Sequence, residues 1–309
     1  MPRDYHQIVW SPAVEEDCRR IIRLAVLEDF GQTYDWTTVS LVPEGVEASA
    51  YIAARKPGVV SGLATTSVVL EEMEIPASLE LLAKDGDQVA AGQKLAKITG
   101  EARDLLSSER IILNLLGRLS GIATLTRQYV DAIAGTHAQV YDTRKTTPGW
   151  RRLEKYAVYC GGGRNHRLGL FDAVLIKDNH LAFGTQQSAE ERFTIAAAVE
   201  KSRQFVAEYH AGQTTEPLMI EVEVDTLQQF RDVLPARPDI VLLDNMSCAQ
   251  LREAVAIRNE LAPDVQLEAS GGVNLSTIRD IASTGVERIS VGALTHSAIA
   301  LDVGLDWIS

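Results

Sequence analysis

No apolar run in the sequence approaches the roughly 20 residues that span a bilayer as a helix, so no helical membrane span is expected in it. The first residues, MPRDYHQIVW, lack the basic, apolar and small-residue regions of a secretory signal, and a cytoplasmic protein is expected. Cysteine is scarce. Cys18, Cys160 and Cys248 stand far apart, with neither metal-ligand spacing nor a disulfide framework, and read as reduced structural thiols. A nucleophilic Cys160, just ahead of three glycines, finds no supporting pattern. Positive charge is in deficit: the net charge is −12 and the pI near 5.0, which sets the chain against nucleic-acid phosphate.

What is there is a globular composition, 46% hydrophobic and 23% charged over 309 residues, enough for two domains or a barrel with an appended module. Ser11-Pro12 predicts a helix to about Glu28, with Val14, Ile21, Ile22 and Ala25 on one face and Gly31 as its stop. Residues 46–99 change to short runs broken by glycine. LELLAKDGDQVAAGQKLAKI reads as strand, turn, strand, with Asp85-Gly86 and Ala91-Gly92 as turns. It is similar to the hairpins of biotinyl and lipoyl carrier domains, yet Lys84, Lys94 and Lys97 lack the setting of a modified lysine; a structural half-barrel is expected. From Glu101 to about Ala134 the spacing is helical, with Gly117 and Gly121 as points of close helix approach. A domain boundary is expected near residue 115.

Beyond it, apolar runs of strand length recur at 138–142, 172–177, 218–224, 239–244, 265–270 and 288–292, with helical segments between. Ser188 with Glu191, and Ser247 with Gln250, form capping boxes. Six β–α units in series predict parallel strands in a barrel or an open, doubly covered sheet.

Against the acidic background, residues 141–180 hold eight Lys or Arg and four acids. This basic island lies where apolar runs end (DTRKT, then IKDNH), which suits a small polyanionic ligand. In α/β barrels the chemistry gathers at the carboxyl ends of the strands. Here those ends carry Asp142-Thr143-Arg144-Lys145, Lys177, Asp244-Asn245, Ser270-Gly271-Gly272 and Gly292. In IEVEV, Glu221 and Glu223 share one face by strand alternation and need cations or metal beside them. Glu223 and Asp244 are hard oxygen donors suited to Mg²⁺ with a bound pyrophosphate. The glycine turns SGGVNLS and VGALTHS offer backbone N–H groups to phosphate.

Three motifs, DTRKTTPG, KYAVYCGGGRNHRLGL and IKDNH, resemble the central signature of the quinolinate phosphoribosyltransferase family. The resemblance implies transfer from 5-phosphoribosyl-1-pyrophosphate to quinolinate with loss of CO₂, a step of de novo NAD biosynthesis, with Mg²⁺ and no organic cofactor. It implies an N-terminal α/β sandwich (1–115) and an incomplete α/β barrel (116–297), with residues 298–309 returning to the first domain. Motif by motif, it places Thr143, Arg144, Lys145, His166, Arg167 and Lys177 around quinolinate. Arg110 of SERIILN matches an arginine that reaches into the partner's site, implying a homodimer; Ile111-Ile112 after it depart from the usual small residues. Glu223 and Asp244 match acids near ribose and metal, with Lys177 as the third catalytic residue. Ser270, Gly271, Gly272, Val291, Gly292 and Ala293 match phosphate-binding turns, with His296 beside them. Three alternatives stay open: a related transferase acting on nicotinate or another anion, a Schiff-base aldolase using Lys177, and a non-enzymatic carrier built on residues 80–99.

Overall fold

The computed structural model describes residues 3–184, 194–209 and 218–308. The strands are β1 (Glu47–Ala54), β2 (Gly58–Val59), β3 (Ser78–Leu81), β4 (Gln88–Val89), β5 (Lys94–Glu101), β6 (Gln139–Tyr141), β7 (Val174–Ile176), β8 (Ile220–Val224), β9 (Ile240–Asp244), β10 (Gln266–Ser270), β11 (Arg288–Ser290) and β12 (Val303–Ile308). Each of the six apolar runs expected beyond residue 115 contains one of β6–β11. The chain forms two units. One comprises Gln7–Gln128, Lys145–Arg164 and Gly292–Ser309; the other comprises Met1–His6, Tyr129–Arg144 and Asn165–Val291.

In the first unit the helix opened by Ser11-Pro12 runs Pro12–Phe30, burying Val14, Cys18 and Ile22, and stops at Gly31 with φ 56°. The antiparallel sheet has the order β12-β1-β5-β3, and β2 pairs with β4. Gly86 and Gly92 have φ of 94° and 81°, the left-handed backbone that the two expected turns require. Helix Ala102–Ala132 is continuous. The close approach at its glycines is made by extended chain, not by a helix. A side chain at Gly121 would overlap the carbonyl of Ile299, and Leu301 N–H donates to Gly117 O at 2.8 Å.

In the second unit the strands are all parallel, in the order β6-β11-β10-β9-β8-β7, with β6 and β7 unpaired at the edges among the described residues. The sheet is an incomplete α/β barrel. Register sets Glu221 beside Ile240, Glu223 beside Leu242, Leu242 beside Glu268, and Glu268 beside Arg288. Strand alternation therefore puts Glu221, Glu223, Asp244, Glu268 and Arg288 on one face. The opposite face is apolar: Val222, Val241, Leu243 and Leu267 are fully buried. The Ser247–Gln250 capping box opens helix Cys248–Leu261, and a second box, Thr226 with Gln229, opens Leu227–Val233. The Ser188–Glu191 box lies outside the described residues.

Candidate active site

The polar face of the parallel sheet is layered. Its deeper layer is a buried network of charges. Tyr5 Oη donates to Glu221 Oε2 at 2.6 Å, and the Tyr5 ring stacks on His166 with centroids 4.6 Å apart. His166 Nε2 faces Glu221 Oε2 at 3.0 Å and Glu268 Oε1 at 3.5 Å. Arg288 Nε donates to Glu268 Oε2 at 2.8 Å, and its guanidinium lies 3.7 Å from the Tyr141 ring centroid and bonds Asp4. Glu221, Glu268 and Arg288 are wholly buried. Buried charge survives only when paired, and here each acid meets a cation or a donor.

Burial pushes the Glu221 carboxyl upward, but His166, Tyr5 and Arg288 outweigh it and hold the group at about 2. Burial opposes the His166 imidazolium; Glu221 and Glu268 favour it and carry the balance above an ordinary histidine. Arg167 N–H donates to His166 Nδ1 at 2.8 Å, so the neutral ring is the Nε2–H tautomer. A folded-state carboxyl below its unfolded value of about 4.5 stabilises the protein above that pH and loses the contribution as pH falls toward 2. Glu221→Gln should flatten that limb, so that denaturant midpoints of wild type and variant converge between pH 4.5 and 3. A wild-type midpoint unchanged across that window would refute the assignment.

His166, Glu221 and Glu268 could hold a metal, since one ligand atom from each lies within 4.8 Å of the others. Glu221 Oε2, Glu268 Oε2 and His166 Nε2 are engaged by Tyr5, by Arg288 and by one another as an internal ion network, while Glu221 Oε1 and Glu268 Oε1 are buried without a hydrogen-bond partner among the described residues.

The upper layer faces outward. Asp142, fully buried, accepts from Asn165 Nδ2 at 2.7 Å and His166 N–H at 2.8 Å, tying the end of β6 to the NHR segment. Arg167 Nη1 donates to Ala173 O at 2.9 Å. Burial and the charge of Arg144 pull Arg167 below the ordinary guanidinium range. Arg144 Nε and Arg167 Nε are both buried with no hydrogen-bond partner among the described residues. Two cations held close with unspent donors mark an anion site. Thr143 lies beside them, half-buried. Lys177, directly after β7, contacts Glu223 Oε2. Asp244, at the end of β9, accepts from Asn245 Nδ2 at 2.7 Å.

After β10, Gly271 (φ 91°) sits against Asn245, where any Cβ would overlap the amide, while the Cα of Gly272 (φ 61°) faces open space. Asn245 itself has φ 52°, a left-handed conformation held by its N–H bond to Ser270 O at 2.9 Å. Gly271→Ala therefore meets both backbone strain, about 1–2 kcal/mol, and a collision. We expect it to lower the melting temperature by about 2–8 °C while leaving far-UV circular dichroism unchanged; an unaltered melting temperature would show that the turn tolerates a side chain. Val291 N–H donates to Tyr141 O at 2.8 Å.

The remaining candidates belong to the other unit. Arg110 is exposed on helix Ala102–Ala132. Lys145 and His296 converge on Gly292, whose missing Cβ would lie 3.1 Å from Lys145 Cδ and 3.2 Å from His296 Nε2; Ala293 opens the turn Ala293–His296. Cys160 is pushed up to about 11, chiefly by burial, and is a thiol at neutral pH, which agrees with a structural role. The sequence reading missed Tyr5, Asp4, Glu268 and Arg288. The one available signal was a charged residue inside an apolar run, as in VQLEAS and RISVG.

Residues 35–120 match the family described as quinolinate phosphoribosyl transferase, N-terminal domain, and residues 122–306 its C-terminal domain. The chain is 43% identical over 290 residues to the nicotinate-nucleotide pyrophosphorylase [carboxylating] of Mycobacterium leprae, covering 93% of this chain and 96% of that one. A solved structure of the nicotinate-nucleotide pyrophosphorylase from Francisella tularensis superposes with a TM-score of 0.86 at 34% identity, over 99% of this chain and 100% of that one. The corresponding Ehrlichia chaffeensis structure gives 0.80 at 38%, over 94% and 98%.

Proposed function

The chain belongs to the quinolinate phosphoribosyltransferase family, and from that premise we propose that it joins quinolinate to 5-phosphoribosyl-1-pyrophosphate, releasing pyrophosphate and CO₂ and forming nicotinate mononucleotide for NAD synthesis. The observation that best supports this within the site is the pair Arg144 and Arg167, crowded together with buried, unspent Nε–H groups. Quinolinate carries two carboxylates, and two fixed guanidinium groups offset the cost of desolvating them. A monoanion such as nicotinate leaves one of the two without a counter-charge.

Lys177 orients the 2-carboxylate, and its contact with Glu223 fixes its Nζ. As pyrophosphate departs, the ribose gains oxocarbenium character, which the carboxylates of Glu223 and Asp244 oppose with negative charge. The ring nitrogen attacks the anomeric carbon. Once alkylated it is cationic, and it stabilises the electron pair left on C2 when the carboxylate departs as CO₂; a proton from solvent then takes up that pair. His166 holds the Arg167 backbone through Nδ1. His296, beside Gly292, binds phosphate oxygens, and Lys145, which converges on the same glycine, binds a quinolinate carboxylate. The hard carboxylate oxygens of Glu223 and Asp244 also fit Mg²⁺, which neutralises the departing pyrophosphate when bound.

The test is release of labelled CO₂ from carboxyl-labelled quinolinate, with and without the phosphoribosyl donor and Mg²⁺, and with nicotinate as competitor. Release that requires every component supports the reading. Turnover of nicotinate alone overturns the substrate assignment.

We also propose a homodimer in the cytoplasm in which the exposed Arg110 completes the partner's site. Arg110→Ala and Lys177→Ala, each inactive alone, should on mixing and exchange recover roughly a quarter of wild-type activity, because half the dimers are hybrids with one intact site each. Mixtures that stay inactive after confirmed exchange exclude a shared site.

A further inference from the structure

Helix Ala102–Ala132 contributes a second arginine that the reaction above does not use. Arg118 Nη2 donates to Glu154 Oε1 at 2.6 Å and to the carbonyl of Thr295, and Nη1 donates to Ala298 O at 3.2 Å. Glu154 is wholly buried. Its two oxygens also accept from Thr147, Oε2 from the amide at 3.2 Å and Oε1 from the hydroxyl at 2.9 Å. Thr295, likewise buried, donates from Oγ1 to Lys145 O at 2.7 Å. One ion pair thus grips two segments: the loop that carries Lys145 and the turn that carries His296. Both converge on Gly292, where no side chain intervenes.

We propose that Arg118 and Glu154 are positioning residues that couple the two substrates. The same clamp sets the loop expected to meet the quinolinate carboxylates and the turn expected to meet the phosphates, so disturbance of either segment is transmitted to the other. The buried carboxylate cannot relax toward water, and the arginine fork fits it together with two carbonyls, which a lysine cannot do at once. This inference rests on the quinolinate reading.

The experiment measures kcat, both KM values and thermal stability for wild type, Arg118→Met, Arg118→Lys and Thr295→Val. Arg118→Met should raise both KM values together, roughly 2- to 30-fold, with a smaller change in kcat. Arg118→Lys should recover part of the loss. Thr295→Val removes the bond to the Lys145 carbonyl, with the longer 3.3 Å contact to the Gly292 carbonyl within its own turn, and should move both KM values in the same direction without a matching loss of stability; it decides the matter if Arg118→Met does not fold. Folded variants with unmoved KM values, or with only one substrate affected, overturn the clamp while wild-type turnover leaves the functional reading standing. Absence of wild-type turnover overturns both.

Discussion

Lys177→Ala is expected to lower kcat/KM for quinolinate by about 10²–10³-fold, the usual cost of deleting one preorganised group at a site of changing charge. Two effects combine. On the mechanism proposed above, the variant loses the ammonium that would hold the departing carboxylate; it also strips Glu223 of its contact cation, so that this carboxylate no longer has a fixed position. Lys177→Arg should not restore activity, because a planar fork cannot take the place of a compact ammonium against one carboxylate oxygen. Single-turnover measurement of CO₂ release, with circular dichroism as a control for folding, gives the answer. Near-normal release from the alanine variant would remove Lys177 from the mechanism. A Schiff base to Lys177 is a separate matter: borohydride with a carbonyl substrate should leave the mass unchanged, and a trapped adduct would revive the aldolase reading.

The largest effect on stability is expected at Arg288. Its side chain is fully buried between Glu268, Asp4 and the Tyr141 ring. Arg288→Met leaves Glu268 buried without its hydrogen-bonded cation and with only His166 3.5 Å away, a change that costs about 3–5 kcal/mol and lowers the melting temperature by on the order of 10 °C. Removing both charges, as Arg288→Met with Glu268→Leu, should recover most of that loss, since a well-packed apolar pair of similar volume is tolerated where a half-pair is not. Equilibrium denaturation of the two variants measures this. Equal losses in the single and double variants would show that the site needs the cation for a reason other than the buried acid.

Much of the architecture was legible because it rests on short-range physics. Strand alternation in IEVEV put Glu221 and Glu223 on one face, and the structure shows both there, each with a cationic or polar partner. Ser247 and Gln250 three residues apart were enough to mark a helix start. What was not legible depends on distant partners. Tyr5 and Glu221 are 216 positions apart, and nothing near MPRDY signals that its tyrosine stacks on His166. The partner of Gly121 went unread for the same reason: glycine spacing announces a close approach but not what approaches, and here it is the backbone of Ile299. Arg118 and Glu154 each look like ordinary surface charge in sequence, and only the burial of Glu154 separates them from it.

The strand order carries a consequence for synthesis. In the antiparallel sheet Ser49 pairs with Ile308, and in the parallel sheet Val140 pairs with Ile289. On a ribosome, β1 and β6 therefore emerge long before β12 and β11; β1, paired with β5, waits with one row of backbone N–H and C=O groups open, and β6 waits without its strand partner. Nascent chains stalled ahead of β11 should be sensitive to protease and should bind chaperones, and protection of both sheets should arrive late and nearly together as the final strands leave the exit tunnel.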